Sequence, residues 1–219
     1  MAVNEGHMTK LEGVNDMLLS IGESPVQTLT SGLGDAAIAE SVLDRVNREI
    51  QLKGWHVNTD RNLTLSKNAS NQFALGVDTL SVDTVNPRSG RQTGSPRPSA
   101  FINAGMRRSA DNSKWLMYDI DNNSETWANE TELTVDRVFL QDFSKLTPAL
   151  QIYVWTSAAH RFQKGLMGSR VLNEFTKDDV LAAETQAVQE DAANEDLNII
   201  RESPHVNSIA NRYNPHYGN

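Results

Sequence analysis

SIGESPVQTL, residues Ser20–Leu29, decides how the beginning of this chain folds. Gly22 and Pro25 mark a turn, yet Ile21, Val26 and Leu29 are apolar. A solvated loop has no use for three such side chains, so the turn packs on something. Upstream, Thr9 to Ile21 reads as a helix, because Leu11, Val14, Leu18 and Ile21 recur at spacings of three and four. Thr9 and Glu12 fit a capping box, and Gly22 is placed to stop the helix in the left-handed conformation. Downstream, Asp35 to Leu52 forms a second helix with Asp35 as its cap and Gly54 just beyond it. Ile38, Val42, Val46 and Ile50 line one face, widened by Leu43. The turn is therefore a packed helix–helix connection, with Val26 and Leu29 filling the gap.

From Trp55 the helical period vanishes. WHVNTDRNLTLS alternates, with Trp55, Val57, Leu63 and Leu65 as the inward set. NQFALGVDTLSVDTV, SKWLMYDID and ELTVDRVFLQDF follow, separated by Asn, Asp, Gly and Ser turns. This pattern predicts an antiparallel sheet or small sandwich. Residues 86–108 carry five arginines (Arg88, Arg91, Arg97, Arg107 and Arg108) and no acid. Their Gly, Pro and Ser content predicts a loop, with one strand at Ala100 to Ile102. Arginine in such a loop suits pairing with neighbouring carboxylates, or contact with another subunit or a phosphate.

Helix returns at KLTPALQIYVWTSAAHRFQKGLMG, with Thr147 as cap and Pro148 at the first helical position. Leu150, Val154 and Ala158 share a face, widened by Ile152, Trp155, Ala159, Phe162 and Leu166. A helix apolar over most of its girth is buried on several sides. Thr176 to about Arg201 forms an acidic, alanine-rich helix with a narrow stripe of Leu181, Val188 and Ile199. The end, SPHVNSIANRYNPHYGN, has no helical period and reads as an extended arm. Tyr213, Pro215 and Tyr217 in it are candidate anchors for a partner's pocket.

The predicted class is α+β. Residues 1–54 and 146–202 close into one antiparallel helix bundle, 55–145 form an inserted antiparallel β-sandwich-like domain, and 203–219 form the arm.

Composition narrows the function. A net charge of -8 over 219 residues argues against general nucleic-acid binding, which needs a basic footprint. The chain has no cysteine, which removes disulfides and thiolate metal sites. MAVNEGHMTK lacks the features of a signal peptide, and no apolar run approaches the ~18–20 residues of a membrane span. His7, His56, His160, His205 and His216 are scattered without zinc-site spacing, and His160 reads as a core or interface residue. Asp119, Asp121, Asn123 and Glu130 match positions of a calcium loop, but Ser124 stands where glycine is needed. A hairpin turn is the better reading. No catalytic, cofactor-binding or metal constellation is evident. An enzyme reading survives only as a polysaccharide or cell-wall hydrolase using a carboxylate pair, with Asp119 and Glu130 as a guess.

VNDMLLSIGESPVQTL, LDRVNREIQLKGWHVN, a β-region and LTPALQIYVWTSAAHRFQ, in that order, closely resemble the tail tubular protein A family of short-tailed podovirus phages. The likeness covers roughly 10–200 and is strongest over Asn15 to Val26, Arg45 to Asn58 and Leu146 to Gln163. The resemblance implies a virion protein made in the host cytoplasm. It implies a twelvefold ring of the chain itself beneath the portal protein, holding the tail nozzle (tubular protein B) and the tail fibres. Double-stranded DNA would pass through the centre without specific binding. It also implies a helix bundle with a β-insertion and a C-terminal arm reaching the portal. Arg88, Arg91 and Arg97 then become interface candidates alongside the arm.

Overall fold

The computed structural model describes residues 6–29, 34–85, 102–109, 114–128, 130–168 and 170–194, with Met167 and 170–175 described by backbone only. Four helices occur in it: α1 (Lys10–Ser20), α2 (Asp35–Gln51), α3 (Pro148–Met167) and α4 (Arg170–Asn194). Between α2 and α3 lie six strands: β1 (Thr59–Ser66), β2 (Ala74–Leu75), β3 (Thr79–Thr84), β4 (Ala104–Arg108), β5 (Trp115–Asp119) and β6 (Glu132–Phe139). They form two antiparallel three-stranded sheets, ordered β1-β6-β3 and β2-β5-β4. The α+β class follows directly.

The opening turn packs as its composition requires. The Thr9 backbone N–H donates to Glu12 Oε2 at 2.7 Å and the Glu12 N–H to Thr9 Oγ1 at 3.2 Å, which closes the capping box of α1. At the other end the Glu23 N–H reaches Leu18 O and the Gly22 N–H reaches Leu19 O. Gly22 has φ +85°, so this is a Schellman stop that a side chain would strain. Asn15 then holds the returning chain: its Nδ2 donates to Val26 O at 3.0 Å and its Oδ1 accepts from Val26 N at 2.8 Å. Ile21, Val26 and Leu29 are thereby pressed against the helical core.

That core draws on all four helices: Val14, Met17 and Leu18 of α1, Leu43, Val46 and Ile50 of α2, Leu150, Val154 and Phe162 of α3, and Ala183 and Ala187 of α4. The N- and C-terminal helices therefore share one core. A second cluster takes Leu133 and Val135 from one sheet, Leu75 and Met117 from the other, and Phe73 and Trp127 from connecting loops. Opposed residues of β1 and β6, Leu63 with Val135 and Leu65 with Leu133, point to the same side and into that cluster.

Several details depart from the sequence expectation. Asp35 is the first residue of α2, and the cap is Gly34 at φ +83°. Ile38 is exposed while Ala36 and Ala39 are buried, because α2 turns its small side chains toward the neighbouring helices. Ile152 and Leu166 of α3 are also exposed, so that helix is buried over less of its girth than its composition suggests. Trp55 and Val57 do not belong to a strand: they pack on the helical core, and His56–Asn58 is a 3-10 turn. Of the strand expected at Ala100 to Ile102, residues 100 and 101 lie outside the described residues and Ile102 is not in a strand; β4 begins at Ala104, so Arg107 and Arg108 lie on it and not in a loop. Thr147 makes no capping bond through its side chain. Its place is taken by Glu190 of α4, whose Oε2 accepts from the Ala149 N–H at 3.2 Å. Helix α4 begins six residues earlier than expected, at Arg170. Leu181 and Val188 face outward, and Ala183 and Ala187 fill the seam, since alanine permits the close approach of α4 to α3.

The junction after α2 is the tightest polar feature. Gln51 is fully buried. Its Nε2 donates to Asn47 Oδ1 at 2.7 Å and Gln141 O at 2.9 Å, and its Oε1 accepts from Gln141 N at 2.8 Å. Asn58, also fully buried, donates to Gln51 O at 3.0 Å and Phe139 O at 2.9 Å and accepts from Trp55 N at 2.8 Å. Gly54 between them has φ +74°, and a Cβ there would stand 3.1 Å from Val138 Cγ2. Replacing Gln51 by leucine orphans the Gln141 N–H and leaves its carbonyl only the long 3.4 Å bond from Asn47 Nδ2, at about 1–3 kcal/mol for an unpaired group. We expect Gln51→Leu to lose at least ~2 kcal/mol in urea unfolding; an unchanged midpoint would show that water enters the junction.

Candidate interaction surface

Among the described residues, the groups with catalytic or metal-binding potential do not converge. Asp119 sits in a hairpin turn: it exchanges backbone hydrogen bonds with Ser124, its Oδ1 accepts from the Asn122 N–H at 3.0 Å, and its Oδ2 accepts from Asn122 Nδ2 at 2.7 Å. Asn123 turns the chain at φ +50°. Asp121 accepts from Asn103 Nδ2 instead of facing Asp119. The calcium-like spacing is thus used as a hairpin turn. Among the described residues no three His, Asp or Glu side chains are grouped so as to hold a metal ion.

The charged side chains instead tie helices together. Lys53, just past α2, donates to Glu184 of α4 at 2.6 Å and to Tyr153 of α3 at 3.1 Å. Glu184 is held below the ordinary carboxylate range by that hydrogen bond from Lys53, and Lys53 is raised by the same bond. The Tyr153 hydroxyl is pushed up by burial. Two turns further along α4, Asp191 Oδ1 accepts from the His56 N–H at 2.9 Å and lies 3.1 Å from His56 Nδ1. Glu184, Glu190 and Asp191 therefore all face the junction. The acidity of α4 that the sequence displays is in part a docking device. On the other side of α2, Lys10 of α1 bridges Glu40 at 2.8 Å and Asp44 at 2.9 Å. Although burial opposes it, those carboxylates raise the Lys10 pKa.

Of the interface candidates, Arg88, Arg91, Arg97, Tyr213, Pro215 and Tyr217 lie outside the described residues. Arg107 and Arg108, from the same basic segment, stack over Tyr118 at 3.6 Å and Trp115 at 4.5 Å on sheet β2-β5-β4. The surfaces that composition concealed are apolar. Ile38 and Leu52 around α2, and Leu181 and Val188 on α4, are all exposed, as is Val77 between β2 and β3. An open hollow of about 430 Å³ runs along α2, lined by Ala37, Glu40, Ser41, Asp44, Arg45 and Arg48.

His160 is half-buried on α3, with Nδ1 2.7 Å from Thr176 Oγ1. Burial lowers its pKa, and the charges of Lys164 and Arg161 add to the effect. The unfolded chain takes up a proton near pH ~6.5 while the folded chain resists it until lower pH. The folded state thus loses stability as pH falls through that window. We expect the melting temperature to fall between pH ~7.5 and ~5.5, and His160→Gln to flatten that part of the profile. An unaltered slope in the variant would assign the loss to other groups.

The segments so described agree with what comparison finds. A family model described as Tail tubular protein matches residues 11–97 and 101–197. The two matched segments contain all four helices nearly entire and all six strands. No curated protein gives a significant match to the chain. With most of its length covered by that one model, the chain belongs to the tail tubular protein family and is a structural component of a phage tail.

Proposed function

We propose that the chain is the ring-forming adaptor of a short phage tail. It joins the portal to the tail nozzle and fibres and encloses part of the channel through which double-stranded DNA is ejected. The observation that carries this reading is the family match over most of the chain. The finer assignment rests on the likeness of Asn15 to Val26, Arg45 to Asn58 and Leu146 to Gln163 to tail tubular protein A. Those three stretches supply Asn15, Gln51, Asn58 and Gln151, the amides that staple this fold.

The chemistry supports a conduit. Phosphates are repelled by a wall of net negative charge, whereas each lysine or arginine contact would add salt-dependent affinity and slow the cargo. The formal charge of -8 is in keeping with that requirement. A ring also needs contacts between unlike surfaces of identical subunits. Apolar side chains left exposed on α2 and α4 are suited to it. On this reading Arg88, Arg91 and Arg97 meet the nozzle or fibres, and Tyr213, Pro215 and Tyr217 anchor an arm on the portal.

Electron microscopy of the protein mixed with its portal tests the assignment. We expect a ring of copies seated coaxially on the portal; a portal that remains bare at saturating protein would overturn the adaptor reading. A chain ending at Glu202 is expected to keep its helix content and melting temperature but to lose portal docking. Full docking by the truncated chain would remove the arm from the contact.

A further inference from the structure

Two helix faces of this molecule match each other. Along α2 and the residue that caps it, Ile38, Ser41, Arg45, Arg48 and Leu52 recur at spacings of three and four and all face away from the core. Ile38 is 48% exposed and Leu52 50%. Along α4, Asp178, Leu181, Thr185, Val188 and Ala192 repeat the same spacing. Leu181 is 62% exposed and Val188 51%. This repeat is the seam pattern of helices that pack side by side. Over fifteen residues it runs ~21 Å along each helix.

We propose that the outward face of α2 in one copy docks against the outward face of α4 in the next, with the helices antiparallel. Charge and shape choose this occupant. Among the described residues Arg45 and Arg48 have no carboxylate within ion-pair distance. Neither does Asp178 have a cation. The neighbouring acids of α2 are already used: Asp44 pairs with Lys10 and Glu49 with Arg161 at 2.6 Å. In the antiparallel register Ile38 stands opposite Ala192 and Ser41 opposite Val188, while Arg48 and Leu52 stand opposite Leu181 and Asp178, one turn apart, so that Arg48 reaches diagonally to Asp178 and Leu52 to Leu181. The parallel register would place Ile38 on Asp178 and Arg48 on Val188. The hollow along α2 supplies room for the side chains of α4. A second α2 face as occupant would oppose Arg45 and Arg48 to their own copies.

The two faces belong to different helices, so the contact is head-to-tail and extends from copy to copy instead of closing a two-fold dimer. The inference rests on the assembly reading above and names its subunit contact.

The chain has no cysteine, so single cysteines report the contact directly. Ser41→Cys and Val188→Cys are prepared separately and mixed under mild oxidation, in conditions where the unaltered protein forms rings, with portal if needed. We expect disulfide dimers in the mixture and none from either variant alone. In parallel, Arg48→Glu and Asp178→Arg should each weaken assembly at least ~tenfold, and the double variant should recover most of it. Rings that form without the mixed disulfide, cross-linking of Ser41→Cys with itself, or no rescue in the double variant would overturn this contact while leaving the adaptor reading intact. Failure of the unaltered protein to form any ring would overturn both.

Discussion

Everything in this molecule hangs on the buried amides at the end of α2. Gln51 and Asn58 sit at zero exposure where the helical core meets the sheet β1-β6-β3. A buried amide without partners is costly, whereas a fully paired one is strong and directional. Gln51 addresses Gln141 through both its donor and its acceptor, and Asn58 binds the backbone on either side of the junction. No hydrophobic contact could specify this register, because apolar contacts tolerate sliding and amide pairs do not. The left-handed Gly54, with Val138 close beside it, lets the chain turn sharply enough to bring the amides together.

The same device recurs at the N-terminal side. Gln151, buried on α3, accepts from Met8 N at 2.9 Å and donates to Met8 O at 3.1 Å and Phe143 O at 2.9 Å. It clasps the segment before α1 as Asn15 clasps the segment after it. Four clasping amides, Asn15, Gln51, Asn58 and Gln151, and one core therefore fix α1, α2 and α3. Helix α4 is attached differently, by an alanine seam and by carboxylates that reach Lys53, His56 and the start of α3. Partly exposed ion pairs of this type contribute little each, about 0–1 kcal/mol. Close packing of Ala183 and Ala187 carries more of the attachment, while the charges set its orientation.

This division suits a subunit that must assemble. A core held in register by amides gives rigid helices, and rigid helices present constant faces to neighbours. The apolar residues left outside, Ile38, Leu52, Leu181 and Val188, gain nothing within the chain. They gain if water is removed from them by another copy. The modest aromatic content of 6% fits a protein that completes its apolar burial in an assembly.

How much of this the sequence could reveal follows from the range of each interaction. The capping box of Thr9 and Glu12, the Gly22 stop and Pro148 at the start of α3 involve residues a few positions apart, so they were legible in order of residues alone. So were the α+β class and the family. The outward turning of Leu181 and Val188 was not, because their hydrophobicity says nothing about which side alanine opens to a neighbour. Nor was the replacement of Thr147 by Glu190 as the cap of α3, since 43 residues separate them. Asp119 shows the same limit: its spacing matched a calcium loop, and only the hairpin's own hydrogen bonds decided its use. Local pattern by itself determined most of the segments that are helix or strand, though not the turn at Trp55–Asn58 or the start of α4; long-range contact alone decided which of their faces are core, which polar groups are clasps, and which apolar residues remain for a partner.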